Sequence, residues 1–164
     1  MLKSLALAAL LAGTGAAAAP ADEALKAVTT VLDKFNAGDV QAFIDAHAAD
    51  AVILDEFAPY QWSGQGSVQR WLDDYGKDST ARKISDGHMA YGRPSQAGSD
   101  GSSAYVVLPT TYCMTQAGVR KGAEGHMTFI LTRTDAGWKI ASWAYAAPQP
   151  TTAVAKAGKC GKAK

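Results

Sequence analysis

The protein is a chain of 164 residues, of which 48% are hydrophobic and 19% charged, with a formal net charge of +1. This size and apolar content are typical of one globular domain and exclude a wholly disordered chain. The near-neutral charge lacks the basic character of most nucleic-acid-binding domains, so no nucleic-acid partner is expected. Two cysteines are too few for a disulfide-dense scaffold or a four-thiolate zinc site.

The first 21 residues have the organisation of a secretory signal peptide. Lys3 supplies the positive start, alanine and leucine alone fill residues 5–11, and small residues follow over 13–19. The apolar run is too short to span a bilayer, so no stable membrane insertion is expected after signal removal. We predict cleavage after Ala18 or after Ala21, because cleavage after Ala19 would place Pro20 directly behind the cut. The predicted location is therefore periplasmic or secreted.

The C-terminal residues 148–164 also differ in composition from the rest of the chain. They contain two prolines and four lysines but no aromatic residue, which predicts a flexible basic tail. Without Lys3 and these four lysines, residues 22–147 hold 11 basic and 15 acidic groups, a net charge of −4. We therefore place one mildly acidic domain at residues 22–147, between a signal peptide at 1–21 and a tail at 148–164.

Three segments in the first half of the domain show helical periodicity. The first covers residues 22–37 and ends at Gly38, which suits a left-handed C-cap. The second is short and follows Asp39, a good N-cap. The third is expected to end at Gly76. The apolar positions that define the first and third helices are Leu25, Val28, Leu32 and Phe35, and Val68, Trp71, Leu72 and Tyr75.

The remaining segments are typical of strands. A short run of branched residues at 51–54 precedes Asp55, and Trp62 lies in a short returning strand. Longer strands are predicted at 84–91, 104–115, 125–134 and 138–146, with Pro109 indicating an edge position or a bulge. Helices followed by antiparallel strands predict an α+β domain. We expect a strongly curved antiparallel sheet wrapped around the N-terminal helices, with a conical pocket for a small ligand.

Several stretches, taken in order and spacing, resemble the nuclear transport factor 2-like superfamily in its SnoaL-like and ketosteroid isomerase-like branches. They are residues Phe35–Asp39, Ala49–Asp55, Trp62–Gly64, Val68–Leu72 and Gly137–Ala141. The resemblance implies a conical pocket within a curved sheet, often in a dimer. The superfamily includes isomerases, cyclases, dehydratases and non-catalytic binding domains, so the resemblance does not select one reaction.

The resemblance implies a catalytic role for Asp55. In the ketosteroid isomerase-like branch, an Asp that transfers a proton ends the strand after the second helix, and Asp55 matches that position. Burial at the end of an apolar strand raises the pKa of a carboxylate toward a value useful in catalysis. The branch's two enolate-stabilising donors fall near Val31 and Phe129, which cannot donate, so steroid isomerisation by that mechanism is not expected.

Other residues extend or limit this site. Substitute donors could come from Tyr60, Tyr91 or Tyr112. Glu56, next to Asp55, is expected on the opposite face of the strand. Because aromatic side chains suit an apolar or planar ligand, we predict a ligand-binding set. Its members are Tyr60, Trp62, Tyr75, Tyr91 and Tyr112.

We expect neither a metal nor a cofactor. His47, His88 and His126 share no spacing typical of metal ligands. The chain also contains no phosphate-binding loop, dinucleotide fingerprint or hydrolase nucleophile motif. By strand alternation, His126 is expected on the outer face of its strand, away from the core.

Two structural alternatives remain open. Cys113 and Cys160 either pair in an oxidising compartment, which would add about 4 kcal/mol of stability, or remain apart because the tail is flexible. Along the last strand, alternation separates a set with Trp138 and Ile140 from a set with Trp143 and Tyr145. One set should pack on the helices, while the other could form a dimer interface.

Three functions are compatible with these features. The first is an exported SnoaL-like domain that binds a small apolar or aromatic molecule. The second is a cofactor-independent isomerase, cyclase or dehydratase with Asp55 as general base. The third is an interaction module that forms a homodimer through its aromatic strands.

Overall fold

The computed structural model describes residues 19–160, so most of the predicted signal peptide lies outside the described residues. The described chain is an α+β domain, as predicted, with a curved, unclosed sheet. The helices are α1 (Pro20–Asn36), α2 (Val40–Ala46), α3 (Ser67–Ala81) and α4 (Thr152–Lys156). The strands are β1 (His47–Leu54), β2 (Gln61–Trp62), β3 (Ile84–Tyr91), β4 (Gln96–Ser99), β5 (Ser103–Gln116), β6 (Val119–Thr134) and β7 (Gly137–Ala146). Within residues 19–160, no helix is long and apolar enough to cross a membrane.

The strands form one sheet in the order β2-β1-β7-β6-β5-β3, with β4 also paired to β5. The pairs from β3 to β7 are antiparallel, as expected, whereas β1 lies parallel to β7. The apolar stripe of α1, centred on Val28 and Leu32, packs on the inner face of the sheet against residues such as Phe129 and Leu131. Burial of this stripe, rather than helix propensity alone, holds α1 in place.

The third helix continues past its predicted end. Gly76 does not have a positive φ and lies within α3, which ends at Ala81. A glycine inside a helix costs only about 1 kcal/mol relative to alanine, and the packing of Trp71 and Tyr75 offsets that cost. The additional turn brings Asp78 and the neighbouring Arg82 to the open end of the sheet, where they form an ion pair of 3.1 Å.

Pro109 lies inside β5 without interrupting its pairing to β6. Its carbonyl accepts a hydrogen bond from the Gly92 N–H, so the nitrogen of Pro109 also faces the side of β5 that carries β3 and β4. The pairing with β3 ends at Thr110, and that with β4 begins at Val107. The proline therefore occupies a gap between two short neighbours, which is the local edge position that its missing donor requires.

A β-bulge in β7 determines which side chains of the last strand face the core. Leu131 faces Ile140, but Ile130 faces Ser142, so Ala141 is an extra residue. On the far side of this bulge, Trp143 faces Phe129 and Tyr145 faces Met127. Both aromatic sets of β7 therefore lie on the inner face, and the predicted division between core and interface is wrong.

The segment predicted to be a flexible tail is attached to the sheet over residues 148–160. Thr151 pairs with Gly122 of β6, and Cys160 forms a disulfide with Cys113 of β5. The Thr151 side chain accepts from the Val154 N–H and caps α4. The prediction therefore needs correction here, because composition does not reveal a covalent link across 47 residues.

Candidate functional site

A cavity of about 120 Å³ lies between α1, α3 and the inner face of the sheet. Most of its wall is apolar and aromatic, and polar side chains from several elements also line it. The aromatic wall consists of Phe35, Phe43, Phe57, Trp71 and Trp143. The polar lining residues are Asp55, Tyr75, Tyr112 and Tyr145, together with Asn36, Glu56, Asp78, Arg82, His88 and Gln149. A mostly apolar cavity with a few convergent polar groups is the usual form of a small-molecule site.

Asp55 directly follows β1 and enters this cavity. The backbone N–H of Glu56 donates to its Oδ1 at 2.7 Å, and the Trp71 indole N–H donates to its Oδ2 at 2.9 Å. Burial raises the pKa of Asp55 to about 6, while these two hydrogen bonds limit the rise. At neutral pH the side chain is therefore mainly a carboxylate, but one that accepts a proton more readily than an exposed Asp.

The position of Trp71 follows from the start of α3. The Ser67 hydroxyl donates to the Ala51 carbonyl of β1 at 2.5 Å and fixes the first turn of the helix against the strand. One turn later, Trp71 reaches Asp55, and its ring stacks on Tyr75 with a centroid separation of 5.3 Å. It also meets Trp143 edge to face at 5.2 Å. The helix thus positions both the partner of the carboxylate and an aromatic wall.

Two tyrosine hydroxyls form a pair in the same cavity. The Oη atoms of Tyr75 and Tyr112 are 2.8 Å apart, within hydrogen-bond distance. Burial raises the pKa of both tyrosines, and the charge of Asp55 contributes to each rise. Both phenols therefore stay protonated at neutral pH and can donate. Gly87 makes room for them, because a Cβ there would lie 2.7 Å from the Tyr112 Oη and 2.9 Å from the Tyr75 Oη.

Tyr145 provides a third buried hydroxyl. Within residues 19–160, its Oη has no hydrogen-bond partner. Burial raises the pKa of this phenol too, with contributions from the charges of Glu56 and Asp55. Buried hydroxyls normally have a partner, so this one is available to a bound molecule. Strand alternation alone could not assign Tyr145 to the cavity, because the extra residue at Ala141 reverses which side chains of β7 face inward beyond it.

Only part of the predicted ligand-binding set lines the cavity. Tyr75 and Tyr112 lie there with Asp55. Tyr60 is 62% exposed in the turn after β1, and Trp62 is 3% exposed in the core, where its indole donates to Asp74 at 3.0 Å. Tyr91 donates instead to Asp33 of α1 at 2.9 Å. These three residues therefore do not line the cavity, and the prediction needs correction for each of them. The turn after β1 exposes Tyr60 to solvent, whereas Trp62 and Tyr91 donate to carboxylates outside the cavity.

Glu56 differs from the sequence-based expectation, and Gly87 was not anticipated at all. Glu56 also lines the cavity, and its Oε1 accepts from the Ala147 N–H at 2.6 Å. Strand alternation does not apply to the pair 55–56, because β1 ends at Leu54. Gly87 was not identified from the sequence, although a glycine inside a strand is a known signal of close approach by another group.

His47 and His126 have structural surroundings, whereas His88 lines the cavity, and within residues 19–160 its buried Nδ1 has no hydrogen-bond partner. His47 is buried; its Nδ1 lies 2.7 Å from the Phe43 carbonyl, and its Nε2 accepts from the Trp143 indole at 3.1 Å. Burial lowers the pKa of His47 to about 4, so the ring is neutral at ordinary pH. His126 pairs with Ala146 on the outer face of the sheet. Across residues 19–160, no group of three or more His, Cys, Asp and Glu side chains could hold a metal ion.

Sequence comparison assigns this architecture to a family. The family model described as a SnoaL-like domain matches residues 24–150. The chain belongs to the SnoaL-like family. The match begins close to the start of the predicted domain and extends past its predicted end at residue 147. No curated protein matches this chain.

Solved structures confirm the fold of this SnoaL-like domain. A ketosteroid isomerase-like protein from Erwinia carotovora atroseptica is 21% identical with a TM-score of 0.65, covering 79% of this chain and 97% of that one. A nuclear transport factor 2-like superfamily protein from Salmonella enterica is 11% identical with a TM-score of 0.65, covering 79% and 91%. The CaMKII hub of S. rosetta is 17% identical with a TM-score of 0.64, covering 81% and 100%. These likenesses establish the nuclear transport factor 2-like fold.

Proposed function

We propose that this SnoaL-like protein is an exported enzyme that moves a proton within a small, mostly apolar carbonyl compound. The reaction class is that of a cofactor-independent isomerase, cyclase or dehydratase. The observation that carries the proposal is the presence of Asp55 and a hydrogen-bonded tyrosine pair in one aromatic cavity. Simple ligand binding would not require a buried carboxylate with a raised pKa, which is costly to keep ionised.

In the proposed reaction, the Asp55 carboxylate removes a proton from the carbon next to the substrate carbonyl. The N–H groups of Glu56 and Trp71 hold its two oxygens in place. A pKa of about 6 leaves Asp55 ionised at neutral pH yet basic enough for the transfer. The protonated Asp55 then returns the proton to another carbon in an isomerisation, or to a departing hydroxyl in a dehydration.

The tyrosines would stabilise the enolate that forms. One hydroxyl of the Tyr75–Tyr112 pair donates to the other, which donates to the enolate oxygen, and neutral phenols suit this role. The Tyr145 hydroxyl is a further possible donor. Val31 and Phe129, which stand near the donor positions of the ketosteroid isomerase-like branch, are buried in the core. The carbonyl of a substrate would therefore face a different wall.

The size of the cavity favours a compact substrate. Its volume of about 120 Å³ is close to that of an engineered cavity of about 150 Å³ that holds benzene. The aromatic wall favours a flat molecule, and the hydroxyls of Tyr75, Tyr112 and Tyr145 can donate to an oxygen of that molecule. A cyclic ketone of one ring has these properties.

Export is part of the proposal. The predicted signal peptide supports it, and the Cys113–Cys160 disulfide is of the kind that persists in oxidising compartments.

A proton-exchange experiment tests the proposed activity. Small cyclic ketones, including a β,γ-unsaturated one, are incubated with the protein in D2O, and NMR follows both deuterium incorporation and double-bond migration. We expect exchange above the buffer rate, a loss of about 100-fold or more in Asp55→Asn, and a smaller loss in Tyr112→Phe. Asp50→Asn is the matched control, because Asp50 is an exposed carboxylate on the same strand. Equal rates for Asp55→Asn and the unmodified protein would refute the proposal, and so would rates at the buffer level for every ketone.

The outer face of the sheet favours a second function, association with another copy of this chain. Tyr105 and Ile130 are opposite each other on β5 and β6, and both are exposed, as is Leu54 of β1. Exposed apolar side chains on neighbouring strands are typical of sheets that pack against a partner. Sedimentation velocity over a range of concentrations tests this proposal. A dimer that Ile130→Lys dissociates supports it, and a monomer at all concentrations rejects it.

A further inference from the structure

The C-terminal segment forms part of the cavity wall. After β7 ends at Ala146, the chain crosses the open end of the sheet, and Gln149 and Pro150 line the cavity that contains Asp55. The chain then continues against the β5–β6 hairpin. We call residues 147–160 the strap. An enclosed molecule would contact the strap on one side and the sheet and helices on the others.

Besides the packing of Val154 over Gly122, the noncovalent attachments of the strap are a few exposed hydrogen bonds and an ion pair. The Ala147 N–H donates to Glu56, and Thr151 exchanges two backbone hydrogen bonds with Gly122, at 2.8 and 2.9 Å. Lys159 forms an exposed ion pair with Glu124 at 2.7 Å. None of residues 147–160 is buried. Bonds of this kind contribute about 1 kcal/mol each or less, so they hold the strap weakly.

The disulfide is the strongest attachment. Cys160 is bonded to Cys113, which lies on the opposite face of β5 from its neighbours Tyr112 and Met114, so the strap passes from the cavity opening to the outer face of the sheet. The strap helix α4 has only five residues and is too short to persist alone. Gly122 lies directly beneath the fastening, because a Cβ there would come within 2.8 Å of the Cys160 Sγ. The hairpin backbone is thus shaped to receive the disulfide.

We propose that the strap is a closing wall of the Asp55 cavity, and that the Cys113–Cys160 disulfide keeps it closed. Small molecules enter and leave where Gln149 and Pro150 cross the opening, and they do so faster when the disulfide is absent. The proposal deepens the function proposed above, in that the enclosed molecule is the substrate. Its test needs only the cavity, so it can fail or succeed independently of catalysis.

Acrylamide quenching of tryptophan fluorescence measures access to the cavity. Trp71 and Trp143 line it, so the experiment uses the full chain with Trp138→Phe, which removes the more exposed of the two tryptophans outside the cavity; the other, Trp62, is only 3% exposed in the core. Cys160→Ser opens the disulfide without altering β5. We expect the bimolecular quenching constant to rise several-fold in this variant. Lys159→Ala is the matched control, because it removes an exposed ion pair of the same strap, and we expect no change.

A second measurement tests the strap even if Cys160→Ser does not fold. Dithiothreitol is added to the folded oxidised protein, where it transfers two electrons and two protons to give two thiols and its own cyclic disulfide. Circular dichroism verifies that the fold persists while quenching is recorded. A several-fold rise on reduction supports the strap, and unchanged quenching in both the reduced protein and folded Cys160→Ser overturns it. If quenching rises but no ketone exchanges deuterium, the strap stands and the proposed enzyme function fails.

Discussion

Replacing Asp55 by asparagine should make the protein more stable at neutral pH while removing the proposed base. Burial raises the pKa of Asp55 from its ordinary value of 3.8 to about 6. The folded chain therefore retains this proton over a pH range in which the unfolded chain has released it. The contribution of Asp55 to stability is greatest below about pH 4 and falls as the pH rises to about 6. Over this interval the loss amounts to about 3 kcal/mol.

Asparagine removes this loss but introduces a smaller one. Asp55 accepts hydrogen bonds from Glu56 and Trp71, and an amide can accept only one of them through its single oxygen. The bond that is lost costs about 1 kcal/mol. We therefore expect Asp55→Asn to be about 1 kcal/mol less stable than the unmodified protein near pH 4 and about 2 kcal/mol more stable above about pH 7.

The stability of Asp55→Asn must be compared with that of the unmodified protein, because His47 changes stability with pH in the opposite direction to Asp55. Its pKa falls from 6.5 to about 4 on burial, so its contribution to stability increases as the pH rises from about 4 to about 6.5. The two effects offset each other in the unmodified protein, whose stability should change little over this interval. The difference between the two proteins' free energies of unfolding cancels the contribution of His47 and leaves that of Asp55.

Urea denaturation between about pH 4 and pH 8 measures the difference. Asp50→Asn provides the matched control, since that carboxylate is exposed on the same strand and should give no comparable rise. A difference between Asp55→Asn and the unmodified protein that stays constant over the whole range would refute the argument. It would mean that Asp55 is hydrated, and the proposed base would lose its physical foundation.

Three further outcomes are expected. Gly87→Ala should displace the hydroxyl of Tyr112, lower stability by about 1–3 kcal/mol and reduce ketone exchange, whereas Gly98→Ala, with no atom within 4 Å of its Cβ, should do neither. Cys160→Ser should lower the free energy of unfolding in urea by about 4 kcal/mol, and a loss below about 1 kcal/mol would contradict the proposed role of the disulfide. If the chain is exported as proposed, mass spectrometry of the mature protein should give Ala19 as its first residue, because the Ala19 carbonyl accepts the N–H groups that open α1. A chain that begins at residue 22 would contradict this.

The parts of the fold that depend on local patterns were predictable from sequence. The apolar spacing of α1 identifies that helix within two residues, the branched residues of β1 locate its end but miss its first four residues, and β3 has its predicted bounds. The end of α3 was not predictable, because packing of Trp71 and Tyr75 outweighs the low helix propensity of Gly76. The first six residues of β6, 119–124, were also missed, because they pair with β5 next to the hairpin turn and their sequence shows little alternation of apolar and polar side chains.

The site was only partly predictable for a related reason. The family resemblance, together with an apolar strand before it, pointed to Asp55, and Tyr75 was selected as an aromatic residue on the same helix face as Trp71; both line the cavity. The contribution of Gln149 and Pro150 depends on the path of the strap, which a disulfide between distant residues determines. Sequence composition in that region indicates only exposure, and exposed residues can still close a cavity when something else holds them.

The extra residue at Ala141 has a consequence for how this protein could change. Because side chains alternate along a strand, deleting one residue at the bulge would turn Trp143 and Tyr145 to the opposite surface. The inner compartment would lose two of its rings, and the outer surface would gain two large aromatic groups. A single-codon deletion could therefore replace a ligand cavity with an exposed aromatic surface suited to protein association, without any new side chain.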